Sequence, residues 1–174
     1  MANDPVENDA LTLLVVAAAL MREDGRVLVQ RRPEGKALAG LWEFPGGKVE
    51  PGEGAADALA RELREELAIE VDPAALMPTG FSVGQVESRE LVLLLFVANR
   101  WSGTPTALAA EALAWRRPDE LAALDMPTAD RPLLAELGRW LAALEALEAR
   151  PGIEPGCKDL QSSASPLRHR ASMG

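Results

Sequence analysis

Apolar positions divide the chain into short extended runs and two helical stretches. Leu11 to Met21, LTLLVVAAALM, is the longest apolar run. It is too short to cross a bilayer and is preceded by acidic rather than basic residues, so Leu11 to Leu20 reads as a buried strand. REDGR supplies a turn, with Asp24-Gly25 as its signal, and VLVQRR a second strand ending at Arg31 and Arg32. PEGKALAG reads as a loop, and LWEFPGG as a short extended piece broken by Pro45 and two glycines. Residues 54–67 give the clearest helix, because Leu59, Leu63 and Leu67 recur at i+4 with alanines between them. IEVDP ends that helix, residues 76–86 read as a bent strand, ELVLLLFVANRW as a strong one and residues 111–116 as a short one. PDELAAL reads as a short helix with Pro118 in its first turn, and ADRPLLAELGRWLAALEALEAR as a longer amphipathic helix. Strands and helices mix without regular βαβ alternation, which predicts an α/β domain with a mixed sheet and helices packed on it. The expected organisation is a flexible N-terminus over residues 1–10, one domain over 11–149 and a disordered tail over 150–174, where Pro, Gly and Ser replace any periodicity.

A helical wheel sharpens the reading of RELREELAIE, Arg61 to Glu70. With Leu59 at zero, Leu63 and Leu67 fall near about 40° and 80°, Glu66 near about −20°, Glu62 near about −60° and Glu65 near about −120°. Arg61 and Arg64 fall opposite the leucines. Glu62 and Glu66 therefore flank the core stripe, where partial burial makes a lone charge costly. Ala55 and Ala58 on that flank are expected to leave room for an approaching group. A divalent cation is the natural partner for such hard oxygens. The alternative is a solvated acidic face paired with Arg61 and Arg64. Gly46 and Gly47, after Pro45, let the backbone turn sharply and present carbonyl or amide groups at close range, and Lys48 adds a cation.

Composition narrows the chemistry. The chain has 174 residues, 48% apolar and 26% charged, with a net charge of −9 and a pI near 4.7. That acidity opposes binding to a nucleic-acid polymer. A single cysteine, Cys157, and a single histidine, His169, exclude an intrachain disulfide, a zinc cluster or a histidine-based triad. A soluble cytoplasmic protein with no membrane partner is expected. The pattern carries no signal of oligomeric state.

Gly47, Glu53, Arg61, Glu62, Leu63, Glu65, Glu66 and Ile69 follow the spacing of the Nudix box, G-x5-E-x7-R-E-U-x-E-E-x-G-U with U a bulky apolar residue. The chain thus resembles the Nudix hydrolases. RRPEGKALAGLWEFPGGKVEPGE, RWSGTP and MPTADRPLL are similar to segments of their MutT-like branch, and the likeness covers roughly residues 11–145. The resemblance implies a Nudix α/β/α sandwich with a mixed β-sheet. It implies a pyrophosphohydrolase that cleaves a nucleoside triphosphate, 8-oxo-dGTP in the first place, to the monophosphate and pyrophosphate, cleaning the nucleotide pool. CTP, dCTP or damaged pyrimidine nucleotides are the alternative substrates, and a non-catalytic nucleotide-binding module is the alternative from another class. By the same resemblance, Glu62, Glu65, Glu66 and the Gly46 carbonyl would hold Mg2+ or Mn2+, with Glu62 orienting or deprotonating the water. Glu53 and Arg61 would form an ion pair fixing loop to helix. Arg31, Arg32 and Lys48 would take the remaining phosphate charge, although Arg31 and Arg32 also suit a charged strand end. Phe44, Arg89 and Asp130 match positions lining the base site, while Phe44 also suits a core position and Asp130 a helix N-cap.

Two positions depart from the pattern. Ala68 stands where the box has glycine, at a cost of about 1 kcal/mol if the backbone there is left-handed. Ala109 stands where MutT-like enzymes often carry an extra metal-site glutamate. Glu111, two residues on and so on the same face of a strand, is the candidate substitute, or else a surface residue.

Overall fold

A computed structural model describes residues 12–86 and 88–149, so the expected flexible N-terminus and tail, with Cys157 and His169, lie outside the described residues. The chain divides into two units, Met1–Trp140 and Leu141–Gly174. The first carries β1 (Leu13–Leu20), β2 (Val27–Arg31), β3 (Trp42–Glu43), β4 (Gly46–Lys48), α1 (Ala55–Leu67), β5 (Met77–Val86), β6 (Arg89–Ala98), β7 (Ala112–Arg116) and the beginning of α2 (Arg131–Glu148). The rest of α2 is the described helix of the second unit.

β1 runs parallel to β6 and antiparallel to β4, and β5 closes the order β4-β1-β6-β5 antiparallel to β6. This is the mixed sheet that the pattern predicts. A second, antiparallel sheet, β3-β2-β7, accompanies it. β1 is apolar throughout, with one face packed in the core and Leu13, Val15 and Ala17 of the other lining a cavity. Val16, Ala18 and Leu20 pack with Leu28 and with Leu59, Leu63 and Leu67 of α1 in one core. On the other face, Ser82 of β5 donates to the Ala129 carbonyl, and side chains built at Gly80 and Gly84 would meet Glu136 and Ala129. Gly80 lets Glu136 of α2 lie close to β5. Burying the three α1 leucines contributes on the order of 1.5–3 kcal/mol each.

The predicted elements appear with small differences of kind. The Asp24-Gly25 turn forms with Gly25 at φ 76. The strand over 76–86 is bent by an irregularity between Pro78 and Gly80. The segment after α1 makes only an isolated bridge, Glu70 to Ser102, before a 3-10 turn at Pro73–Ala75. PDELAAL is likewise a 3-10 turn, with Pro118 at its start.

At the end of α1, Ala68 is left-handed, φ 56 and ψ 35, and its N–H donates to the Arg64 carbonyl. Its side chain is exposed, so backbone geometry alone decides the exchange, and that geometry favours glycine. Ala68→Gly is therefore expected to raise stability by about 0.5–1 kcal/mol, the left-handed cost removed less the entropy that glycine adds to the unfolded chain. Urea unfolding of the two proteins measures it.

Candidate functional site

A cavity of about 470 Å³ lies against β1, β2, the β3–β4 segment and the residues leading into α2. Gln30, Arg31, Arg32, Glu43, Phe44, Gly46, Gly47, Lys48, Glu66 and Asp130 all line it. Two groups of side chains define its chemistry.

The first is carried by α1. Glu66 is largely buried, and its carboxylate accepts from Gln30 Nε2 (2.9 Å) and from the Gly46 N–H (3.2 Å). Burial raises its proton affinity first; Glu62 and Glu43 raise it further, while the bonds from Gln30 and Gly46 lower it. Glu62 is covered to 16% exposure and accepts from Arg61 Nη1 at 2.8 Å. Glu65 is 59% exposed, 3.6 Å from the same Arg61 nitrogen. The Gly46–Gly47 backbone is seated directly on these carboxylates. A Cβ at Gly47 would intrude on the Glu62 carboxylate, and one at Gly46, with φ 153, would strike the Val16 carbonyl.

Arg61 departs from its wheel position opposite the core. Its guanidinium reaches Glu53 through Nε and Nη2 (both 3.0 Å), the Lys48 carbonyl (3.0 Å) and Glu62. The loop folds back over the helix, so four acceptors converge on one side chain. Arg61 lowers the Glu53 carboxyl below its usual range. Arg64 pairs with Glu70 instead (3.3 Å), so the acidic cluster is not the solvated face paired with both arginines. The room expected beside Ala55 and Ala58 is also absent. Ala58 is fully buried and Ala55 packs on the core, because Val49 and the leucine cluster close over that flank. The approach to the carboxylates is from the glycine strand.

The second group surrounds Asp130. It is 6% exposed, and the Phe44 N–H bonds to its carboxyl. Burial, then Glu43, push the carboxyl up to about 7, against the pull of the Phe44 N–H and Arg32. Asp130 immediately precedes α2, where a cap would stand, yet its carboxyl faces the cavity wall. Phe44 is 3% exposed and serves both core and wall. Arg89 begins β6 opposite Val86, outside the lining, although Val86 itself belongs to it.

Among the remaining expected residues, Arg31 bonds the Gly40 carbonyl and pairs with Glu111 at 3.5 Å. Arg32 pairs with Glu43 at 2.6 Å. Lys48 is exposed on the lining. The same-face argument for Glu111 fails, because residues 108–111 are bends and β7 begins at Ala112. Glu111 is spent on Arg31, while Ala109 lines the cavity.

Two residues that the motif does not contain join the groups. Gln30 Nε2 bridges Glu66 and Glu43, the latter at 3.4 Å. Glu43 in turn lies between Arg32 and Asp130. A polar residue inside the apolar run VLVQ was the available signal for Gln30. Among the described residues, no three Asp, Glu, His or Cys form a ready-made cation cage. The donor set nevertheless fits a hard divalent cation. Glu66 is buried beside two further carboxylates with neutral donors as its own partners, an imbalance that a cation relieves.

A family model described as the NUDIX domain matches residues 11–137. The CTP pyrophosphohydrolase of Escherichia coli (strain K12) is 39% identical over 124 residues, 71% of this chain and 90% of that protein. The putative 8-oxo-dGTP diphosphatase 2 of Mycobacterium tuberculosis (strain ATCC 25618 / H37Rv) is 41% identical over 133 residues, 75% of this chain and 92% of that one. The solution structure of the E. coli ORF135 protein superposes with a TM-score of 0.69 at 38% identity, over 86% of this chain and all of that chain.

Two outcomes follow from the geometry. Gly47→Ala displaces the Glu62 carboxylate and is expected to lower kcat by about 100-fold, as a roughly 1 Å misplacement does; steady-state kinetics beside circular dichroism separate this from unfolding. Asp130 holds a proton in the folded state up to about pH 7 that the unfolded chain, with its ordinary value of 3.8, has released. Native protein thus binds more protons than unfolded protein in that window, and stability falls as pH rises through it. Asp130→Asn removes this loss, so the melting temperature of the variant is expected to gain on wild type from pH 4 to pH 7. A constant difference across that range contradicts the assignment.

Proposed function

The chain belongs to the NUDIX family, and on that premise we propose that it is a divalent-cation-dependent pyrophosphohydrolase of nucleoside triphosphates that acts on 8-oxo-dGTP. The observation that carries the reading is the seating of Glu62 and Glu66 on the Gly46–Gly47 backbone, with Glu66 in the wall of the cavity that Asp130 also lines and Glu62 beside it. One wall thus has carboxylates for phosphate chemistry and a buried carboxyl for a base edge.

In this reading Glu62, Glu65, Glu66 and the Gly46 carbonyl would hold Mg2+ or Mn2+. When bound, the cation neutralises phosphate charge and lowers the pKa of a water. Glu62 would orient or deprotonate the water that attacks phosphorus, and the P–O bond between the α- and β-phosphoryl groups breaks, giving 8-oxo-dGMP and pyrophosphate. Arg61, tied to Glu53 and to the Lys48 carbonyl, holds Glu62 and the glycine strand in one frame. Arg31, Arg32 and Lys48 supply positive charge along the same lining.

For the base, an ionised Asp130 accepts two hydrogen bonds, which suits the N1–H and exocyclic amino donors of an 8-oxoguanine. A second reading, CTP, is favoured by the rise of Asp130 to about 7 and by the similarity to a protein named CTP pyrophosphohydrolase. A protonated carboxyl both donates and accepts, which suits N3 and the amino group of cytosine.

Glu62→Gln is expected to lower Mg2+-dependent kcat by at least about 100-fold with the fold unchanged; near-wild-type turnover would remove the role given to Glu62. The substrate reading is tested by kcat/KM at pH 8 for 8-oxo-dGTP, dGTP, CTP, 5-hydroxy-dCTP and ADP-ribose. An advantage of about tenfold or more is expected for 8-oxo-dGTP. CTP in first place establishes the second reading, and no pyrophosphate release from any member points to a binding module.

A further inference from the structure

Leu38 and Ala68 are the non-glycine residues with left-handed φ among the described residues. Ala68 terminates a helix, where that conformation is ordinary. Leu38 does not. It sits at φ 60 in the loop between β2 and β3, flanked by Gly35 and Gly40, which take φ 82 and 80 without strain. The loop is fastened on both sides of it. Arg32 Nε donates to the Ala37 carbonyl at 2.7 Å, the Gly40 N–H to the Arg32 carbonyl at 2.9 Å, and the Leu41 N–H to the Leu38 carbonyl at 3.2 Å. The left-handed leucine is therefore imposed by a braced loop and is not the slack of a free one.

Its side chain carries a second cost. Leu38 is 56% exposed, among the most exposed large apolar residues, and it lines the cavity that holds Phe44 and Asp130. An asparagine or glycine at 38 would avoid both costs, since both accept left-handed backbone and neither exposes an apolar chain. Strain of this kind persists where the position serves a ligand. The polar lining is suited to phosphate and to the edge of a base, which leaves the base's flat face as the apolar part of such a ligand.

We propose that Leu38 binds the nucleotide by covering a face of its base, the left-handed backbone serving to aim the side chain into the cavity. This rests on the nucleotide-hydrolase reading above and adds to it a residue outside the family's motif. On binding, the exposed part of the leucine leaves water against the ring, which favours the complex over the free enzyme.

The test compares wild type with Leu38→Asn, Leu38→Gly and Leu38→Met. Calorimetric binding of 8-oxo-dGMP requires no turnover, and melting temperature, KM and kcat for 8-oxo-dGTP, and inhibition by inorganic pyrophosphate complete the set. For Asn and Gly we expect a melting temperature higher by about 2 °C or more. We also expect monophosphate binding and KM weakened about fivefold or more. kcat should stay within about twofold and pyrophosphate inhibition should not change. Leu38→Met should restore binding. Variants that bind 8-oxo-dGMP as wild type does, while wild type turns the triphosphate over, overturn the role of Leu38 alone. A wild type that neither binds the monophosphate nor hydrolyses any nucleotide of the panel overturns the functional reading and this role with it.

Discussion

Everything at the candidate site hangs on how closely the Gly46–Gly47 backbone lies against α1. No side chain fits between that strand and Glu62, and the Gly46 N–H bonds to Glu66. The strand is itself paired to β1, with Ala17 opposite Gly46 and Val16 opposite Gly47. α1 is fixed to the other side of the same contact by Leu59, Leu63 and Leu67, which share a core with Val16. The hydrophobic effect thus sets the distance between helix and sheet. The absence of a side chain at Gly47 converts that distance into a place where a carboxylate meets backbone, while at Gly46 it lets the strand lie against the Val16 carbonyl of β1. Arg61 completes the frame by tying Glu53 and the Lys48 carbonyl to the helix.

This construction explains what could be read along the chain and what could not. Strands, α1 and the beginning of α2 were legible because burial imposes its period on the apolar residues. The partial burial of Glu62 and Glu66 followed from their angles beside Leu59 and Leu63. The Arg61–Glu53 pair is present as the resemblance implies, but the contact of Arg61 with Glu62 was not legible, because a wheel fixes the direction of Cβ and not where a long, flexible side chain ends. The room beside Ala58 was misjudged because a small residue signals close packing as readily as open space, and here Val49 and the leucines take it. Glu111 was placed by strand alternation, which fails where the strand has not yet begun.

Gln30 and Glu43 were overlooked because neither belongs to the spaced motif. Their importance is a property of the tertiary fold. β2 and β3 pair Gln30 with Glu43, and only the docking of α1 adds Glu66 to them. The result is a polar chain from Glu66 through Gln30 and Glu43 toward Arg32 and Asp130. Buried polar groups joined in this way constrain one another's orientation.

The sign of the charge along this wall bears on what it can receive. Glu43, Glu62, Glu66 and Asp130 are gathered at or beside a cavity in a chain of net charge −9. Arg32 and Arg61 are already paired, with Glu43 and with Glu53 and Glu62. A polyanion approaching such a wall is repelled unless cations accompany it or the carboxyls take up protons. Glu66 and Asp130 already lean toward protonation because burial and their neighbours disfavour the charge. The same crowding that costs stability in the free protein therefore makes the site dependent on added positive charge. In the proposed reading a triphosphate arrives with its cations on those terms, whereas the long row of phosphates of a nucleic-acid polymer is opposed by the net negative charge of the chain.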